Sequence, residues 1–368
     1  MHRVFELARL GTPSPNPYVG CVIVKDGCVI GEGFHHRVGE AHAEIEALRD
    51  CELKGNNPTG ATLYVNLEPC SHHGRTPPCV DALIKAGILR VVISTTDPNP
   101  LVNGQGIEKL RSCGIEVIVG VLEDEGKELN KHFLTFITQK RPFVYLKAAL
   151  TLDGKIACSN YDSKWISGDE SRMLVHELRS KVDAVLVGKN TIVHDNPQLN
   201  ARLDTVSYPV RIVLDSNNSL RVDSLRDDFV VFHEEGETLV LTTMTKEGTK
   251  NNKIGKNKIE NNKIENNKIV CKADEKGRVN LHDALSKLAA RGITSLLIEG
   301  GSSVFSSFIQ ERLVDELWLF IAPTLLGDEN AIPLLKGFSP TSIKEGVQLR
   351  FTSFEKRGED IFVKAVLV

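Results

Sequence analysis

The chain has 368 residues and a mass of 40.6 kDa, enough for two domains of ordinary size. Its 45 Lys and Arg against 48 Asp and Glu give a net charge of −3 and a pI near 6.4, which argues against a surface built to grip nucleic-acid backbone. No apolar run reaches the roughly 18 residues of a membrane helix, the N-terminal MHRVFELARLG lacks the apolar stretch of a secretory signal, and eight cysteines do not make a disulfide scaffold; these features predict a cytoplasmic protein.

In chain order, Val19–Val24 and Cys28–Gly33 are short apolar runs joined by Lys25-Asp26-Gly27, a strong hairpin signal. Helical spacing follows at Ala41–Arg49, a strand at Ala61–Leu67, a helix at Val80–Ala86 and a strand at Leu89–Thr95. Then come a helix at Gly106–Ser112, a strand at Ile115–Val119 and one long helix over Leu122–Thr138. This pattern predicts a layered α/β domain over residues 1–141 with a largely parallel sheet. Lys140-Arg141-Pro142 marks a boundary, and a second α/β domain is expected over 142–368. Its strands fit Phe143–Leu150, Ala184–Val187, Val210–Leu214, Phe229–Val231, Glu237–Leu241, Ser295–Ile298 and the short buried run Leu317–Ala322. Its helices fit Glu170–Ser180, Leu281–Arg291 and Val304–Glu311. Between Asn251 and Ile269 an Asn-Asn-Lys-Ile-Glu motif recurs every five residues. That period suits neither a helix face nor a strand face, so a disordered or weakly helical insertion is expected over about 245–270.

The densest chemical signal is His42-Ala43-Glu44, then Pro69-Cys70, then Cys79. One imidazole and two thiolates can hold Zn²⁺ and leave a fourth tetrahedral position for water, whose pKa the metal lowers toward 7. Glu44, two residues from a ligand, can then carry protons without binding metal. The H-x-E…P-C…C order is that of zinc-dependent cytidine-type deaminases. Eight residues separate the two cysteines instead of two, and this loop contains His72, His73 and Arg75. The two histidines could compete for the metal, but a polar loop with Arg75 reads better as a substrate clamp, since arginine offers a fork to phosphate.

EPCSHHGRTPPC, with HAE before it, SPNPYVGCVIV upstream and DPNP downstream, resembles the deaminase half of the bifunctional deaminase/reductase family of riboflavin biosynthesis. The resemblance covers nearly the whole chain. It implies a cytidine-deaminase-like three-layer domain that hydrolyses the 2-amino group of 2,5-diamino-6-ribosylamino-4(3H)-pyrimidinone 5′-phosphate. By the family motif His42, Cys70 and Cys79 hold one zinc and Glu44 shuttles protons, while Asn16, His72, Arg75, Asp97 and Asn99 surround the base and ribose phosphate. The first helix begins at Met1, shorter than is usual in the family.

The C-terminal half has no G-x-G-x-x-G. It does have a strand, two glycines and a Ser-rich helix start, Ser295 to Ser303, which permit close approach of an anion to backbone N–H groups. LKAALTLDGKIA, SKWISG, VLVGKNTIVHDNPQL, RIVLDS, IEGGSSVFSSFI and VDELWLFIAPTLLG are similar to the reductase half of the same family. They imply a dihydrofolate-reductase-like fold that uses NADPH to reduce the ribosyl group to ribityl. The match places Ala149, Trp165, Thr191, Asp195, Ser216 and Gly301, Ser302, Ser303, Val304, Phe305, Ser306 and Ser307 beside the cofactor. Ser163, Arg179, Leu199, Arg202 and Glu299 would face the substrate, with the two arginines suited to its 5′-phosphate; Lys147 and Asp153 are candidate polarising or positioning groups. The implied partner is a small phosphorylated pyrimidine, with no nucleic acid or membrane and homo-oligomerisation left open.

Two other readings stay open at the level of the sequence. A zinc deaminase acting on a nucleic-acid base is opposed by the acidic balance and the Arg75 loop. A chain kept as a non-catalytic scaffold is disfavoured for the first domain by the joint presence of His42, Glu44, Cys70 and Cys79, and stays open for the second.

Overall fold

A computed structural model describes residues 1–72, 77–100, 102–203, 208–221, 229–244 and 267–368. Arg75 and most of the Asn/Lys/Ile tract lie outside the described residues. The chain divides into two compact units, Met1–Arg141 and Pro142–Val368.

The first unit opens with helix α1 (His2–Ala8) and the hairpin β1 (Gly20–Lys25) and β2 (Cys28–Phe34). Lys25 pairs with Cys28, so the turn is Asp26-Gly27, both at positive φ (52° and 77°), as a two-residue hairpin loop requires. Then follow α2 (Ala43–Leu53), β3 (Thr62–Leu67), α3 (Cys79–Lys85), β4 (Arg90–Thr95), α4 (Gln105–Ser112) and β5 (Glu116–Val119). The sheet order is β2-β1-β3-β4-β5, with β1 antiparallel to both neighbours and β3, β4 and β5 parallel. Alternation along β1 sends Cys21 and Ile23 into a core shared with α2, α3 and α4 and sends Val22 toward Val4 and Leu7 of α1, which makes three layers. On β2, a Cβ at Gly33 would lie 2.3 Å from the backbone nitrogen of Ala47, so only glycine lets α2 and the residues at its start sit this close to the sheet.

The expected single helix over 122–138 is instead two, α5 (Glu123–Leu129) and α6 (Lys131–Gln139), broken at Asn130. The buried Asn130 side chain accepts from the Tyr18 N–H at 2.8 Å and donates to the Tyr18 carbonyl at 3.0 Å. A tertiary bond of this kind overrides helical periodicity.

In the second unit the strands are β6 (Phe143–Thr151), β7 (Lys155–Ala157), β8 (Ala184–Gly188), β9 (Val210–Leu214), β10 (Thr238–Thr242), β11 (Lys268–Val270), β12 (Ser295–Gly300), β13 (Glu316–Ala322), β14 (Ile332–Pro333), β15 (Leu349–Arg357) and β16 (Asp360–Leu367). The helices are α7 (Asp169–Arg179), α8 (Lys189–Asp195), α9 (Leu281–Ala290) and α10 (Ser302–Gln310). Nine strands form one sheet in the order β11-β10-β9-β8-β12-β6-β13-β16-β15, parallel as far as β13 and then antiparallel; β7 and β14 pair separately. Val144 and Leu146 face one core with α9 and α10, whereas Phe143 and Tyr145 face another with α7. Burial on both faces explains the continuous apolar runs of the central strands.

Two expectations fail locally. Phe229–Val231 is not a strand; Val230–Phe232 is a 3₁₀ turn whose apolar side chains pack on a face of the sheet. The connection there is pinned by the buried Arg211, whose guanidinium donates to the carbonyls of Glu234, Glu235 and Gly236. The end of the Asn/Lys/Ile tract is ordered too: Lys268–Val270 is β11, parallel to β10, with Ile269 buried in the core.

Candidate active sites

His42 is the N-cap of α2, Cys79 is the first residue of α3, and Cys70 follows β3. These three elements converge so that the ligand atoms of all three residues lie within 4.8 Å of one another. His42 Nδ1 is 3.2 Å from Cys79 Sγ and 3.5 Å from Cys70 Sγ. Tetrahedral zinc, with bonds of about 2.0–2.3 Å, spaces its nitrogen and sulfur donors about 3.5–3.8 Å apart, so the donor set fits that ion. Cys70 Sγ accepts from the Cys79 side chain, from His42 and from the Cys79 backbone N–H, which together hold its thiol down to about 4. Glu44, the second residue of α2, is 3% exposed, and burial, reinforced by the charge of Cys70, raises its carboxyl above the ordinary range.

These groups open into a cavity of about 390 Å³ whose wall includes Asn16, His35, Glu44, His72, Asp97 and Asn99. The segments carrying Asn16, Asp97 and Asn99 are fixed by bonds the sequence did not announce. His35 Nδ1 lies 3.0 Å from the Ala41 carbonyl, which only accepts, so the ring proton sits on Nδ1 and Nε2 accepts from Asn16 Nδ2 at 3.0 Å. Asn66, fully buried, and Asn130 both grip the backbone of Tyr18, two residues on. Glu68, also buried, accepts from the backbone N–H groups of Asp97, Gly104, Gly106 and Ile107 at 3.0–3.3 Å, and so clamps the segment carrying Asp97 and Asn99. Gly106 is required there: a Cβ would lie 2.2 Å from the Pro69 carbonyl. Burial pushes the Asp97 carboxyl up to about 6. His72 Nδ1 is a buried polar atom with no partner among the described residues.

The second unit holds a cavity of about 780 Å³ along the C-terminal ends of β6, β12, β8 and β9. Its wall includes Ala149, Ser163, Trp165, Arg179, Thr191, Asp195, Leu199, Arg202, Glu299 and the run Gly301 to Phe305. Trp165 is 68% exposed with the Arg172 guanidinium 4.7 Å from its ring centre, so it is not a core residue. Ser163 donates to Asp195 at 3.0 Å. Ser302 Oγ is buried without a partner among the described residues, and a Cβ on Gly301 would fill the space beside Thr191 Oγ1. An unmet hydroxyl in a glycine-lined cradle suits a phosphate-bearing cofactor.

Ser216, Ser306 and Ser307 lie off the cavity wall. Ser306 and Ser307 donate back to the carbonyls of Ser302 and Ser303 along α10, and Ser216 Oγ accepts from the Val279 N–H. The two arginines also differ. Arg179 spends its fork on Glu299 at 2.5 and 2.6 Å and donates again to the Asn200 carbonyl, so it presents no open fork to phosphate. Arg202 is exposed; its guanidinium donates to the neutral Gln198 at 2.7 Å and its backbone N–H to His176 Nδ1 at 3.2 Å. Lys147, on β6, is in the wall, and burial lowers its ammonium pKa, with Arg179 adding and Glu299 opposing. Asp153 is a turn clamp, accepting from Thr151 and from the N–H groups of Leu326 and Gly327. His176, which sequence reasoning missed, is held down to about 4, chiefly by burial and then by Arg179 and Arg202.

Residues 1–95 match the cytidine and deoxycytidylate deaminase zinc-binding region, and residues 142–363 match the RibD C-terminal domain. The chain is 43% identical over 356 residues to riboflavin biosynthesis protein RibD of Aquifex aeolicus, covering 96% of this chain and 93% of that protein. It is 42% identical to that of Actinobacillus pleuropneumoniae over 100% of this chain and 94% of the relative. Among solved structures, the diaminohydroxyphosphoribosylaminopyrimidine deaminase/5-amino-6-(5-phosphoribosylamino)uracil reductase of Thermotoga maritima superposes with a TM-score of 0.86 at 40% identity, covering 100% of this chain and 97% of that one. The first unit is thus a zinc-binding, cytidine-deaminase-like domain and the second a dihydrofolate-reductase-like reductase domain consistent with NADPH use. Among the described residues no helix is long and apolar enough to cross a membrane. With both units matched end to end, the chain belongs to the RibD family of bifunctional deaminase/reductases of riboflavin biosynthesis.

Proposed function

We propose that the first unit hydrolyses the 2-amino group of 2,5-diamino-6-ribosylamino-4(3H)-pyrimidinone 5′-phosphate and that the second reduces the ribosyl group of the product to ribityl with NADPH. The observation that carries this reading is the convergence of His42, Cys70 and Cys79, with His42 and Cys70 lining the same cavity as the buried carboxyl of Glu44. His42, Cys70 and Cys79 would hold zinc, which when bound supplies Lewis-acid activation of a water. Glu44 takes a proton from the attacking water and gives it to the ring nitrogen beside C2, then takes the proton of the added hydroxyl and gives it to the departing amino nitrogen. The C2–N bond breaks, ammonia leaves, and C2 keeps the oxygen as a carbonyl. Burial raises the Glu44 carboxyl above its ordinary range, which favours its taking up a proton from water. Asn16, Asp97 and Asn99 orient the base and sugar, with Asn16 held by His35 and the segment after Asp97 held by Glu68.

In the second unit NADPH, when bound, delivers hydride to C1′ of the sugar. The C1′–O4′ bond opens and O4′ takes a proton. Lys147, on the cavity wall, is a candidate to supply it, with Glu299 kept ionised by Arg179 beside it. Arg202 engages the substrate phosphate. Hydride transfer then depends on orientation between two bound molecules.

A coupled assay on zinc-quantified protein tests both steps. Ammonia release without NADPH, followed by NADPH oxidation only after deamination, is the expected result. No ammonia from protein carrying one zinc per chain would overturn the substrate assignment.

A further inference from the structure

We propose that His176 is a positioning residue of the reductase: its imidazole fixes the backbone of Arg202 and so aims that guanidinium at the phosphate of the substrate. This inference rests on the reading of Arg202 given above.

His176 and Arg179 stand three residues apart on α7, hence on one face of that helix, and both line the reductase cavity. Gln198, Leu199 and Arg202, on the loop that follows α8, are in the same wall. Leu199 sits at φ 58°, a left-handed conformation that a leucine keeps only where its surroundings hold it. Two side chains of α7 do so. Arg179 donates to the Asn200 carbonyl at 3.1 Å, and His176 Nδ1 accepts from the Arg202 N–H at 3.2 Å. A backbone N–H can only donate, so Nδ1 carries no proton and the ring is neutral, with its proton on Nε2. Burial, then the charges of Arg179 and Arg202, hold the imidazole down to about 4 and keep it in this accepting form.

The far end of Arg202 is fixed separately. Gln198 Nε2 donates to Glu234 at 3.1 Å, which turns Oε1 toward Arg202, and Arg202 Nη1 donates to that oxygen at 2.7 Å. A guanidinium carries five N–H donors, so a bond to one neutral amide leaves the fork its capacity for phosphate oxygens. Removing the imidazole leaves the loop its anchor at Asn200 but takes away the one on the residue that bears the charge.

The test is steady-state kinetics of the full chain with NADPH, using the deaminated substrate and the same compound without its 5′-phosphate. His176→Ala should raise KM for the phosphorylated compound about 5- to 10-fold, the size of a lost hydrogen bond, with kcat and the unphosphorylated compound within about twofold. His176→Asn, whose Oδ1 takes the place of Nδ1, should restore KM; His176→Gln, whose amide reaches the Nε2 position instead, should not. Combined with Arg202→Ala, His176→Ala should change KM by less than about twofold further, because it acts through that arginine. Should His176→Ala fail to fold, the Asn and Gln variants carry the same comparison. Equal losses on both compounds, or losses that multiply in the double variant, would overturn the positioning role and leave the reading of Arg202 standing. A wild-type enzyme that does not distinguish the two compounds would overturn the reading of Arg202 and this inference with it.

Discussion

At the scale of single residues the deaminase site separates holding the metal from moving the proton. Glu44 is not one of the three clustered donors, and its burial raises the carboxyl above the ordinary range. Glu44→Gln should therefore lower kcat for ammonia release by about 10²- to 10⁴-fold while the protein retains one zinc per chain. Metal analysis of the purified variant is the check, and loss of zinc along with activity would make Glu44 a ligand. The reductase arginines divide in a similar way. Arg179 and Glu299 are a buried pair with side chains 14% and 7% exposed, so Arg179→Ala strands a carboxylate and should destabilise the unit by about 3–5 kcal/mol in chemical denaturation. Arg202 is exposed and bonded to a neutral amide. Arg202→Ala should raise the reductase KM about tenfold with little change in stability or in deamination. Equal loss of both activities would contradict two separate sites.

At the scale of elements, the deaminase cavity depends on a clamp that spans the sheet. Glu68 directly follows β3 and accepts from four backbone N–H groups between Asp97 and Ile107. Glu68→Gln keeps the size but turns an amide NH₂ toward two of those donors. Zinc content should hold, KM for deamination should rise by about tenfold, and the unit's melting temperature should fall by several degrees. An unchanged KM would reduce Glu68 to a stability residue. The contrast between Glu68 and its neighbour Cys70 explains what the sequence could convey. Metal donors belong to a short list of side chains with characteristic order, so His42, Cys70 and Cys79 are legible one by one. Glu68 is readable only through partners 29 to 39 residues away that are bare backbone. Likewise Asp26-Gly27 declares its hairpin locally, whereas the break at Asn130 depends on Tyr18, 112 residues back. The β15–β16 hairpin was missed because β15 is an edge strand whose residues are nearly all exposed, leaving little of the buried-face alternation that marks a strand. The tract ending in Lys268–Val270 read as insertion because its composition is repetitive, yet placing Ile269 against the core suffices to add a parallel strand.

At the scale of the whole molecule, each unit has its own hydrophobic core among the described residues. The metal donors belong to the first unit alone, on α2, α3 and the segment after β3. Zinc binding free energy therefore stabilises one unit, because the donors are brought together only when α2, α3 and β3 are folded. Removing the metal exposes three groups whose arrangement otherwise leaves a thiolate and a raised carboxyl close together in a buried site. Treating the intact chain with a strong chelator should abolish ammonia release and lower a single thermal transition, that of the first unit. NADPH oxidation with already deaminated substrate should continue at its original rate, and added zinc should restore both the transition and the ammonia. Calorimetry with and without chelator, paired with the two activity assays, checks this. A parallel drop in both transitions would mean that the metal's stabilisation reaches across the boundary at Arg141–Pro142, and the independence inferred from separate cores would fail.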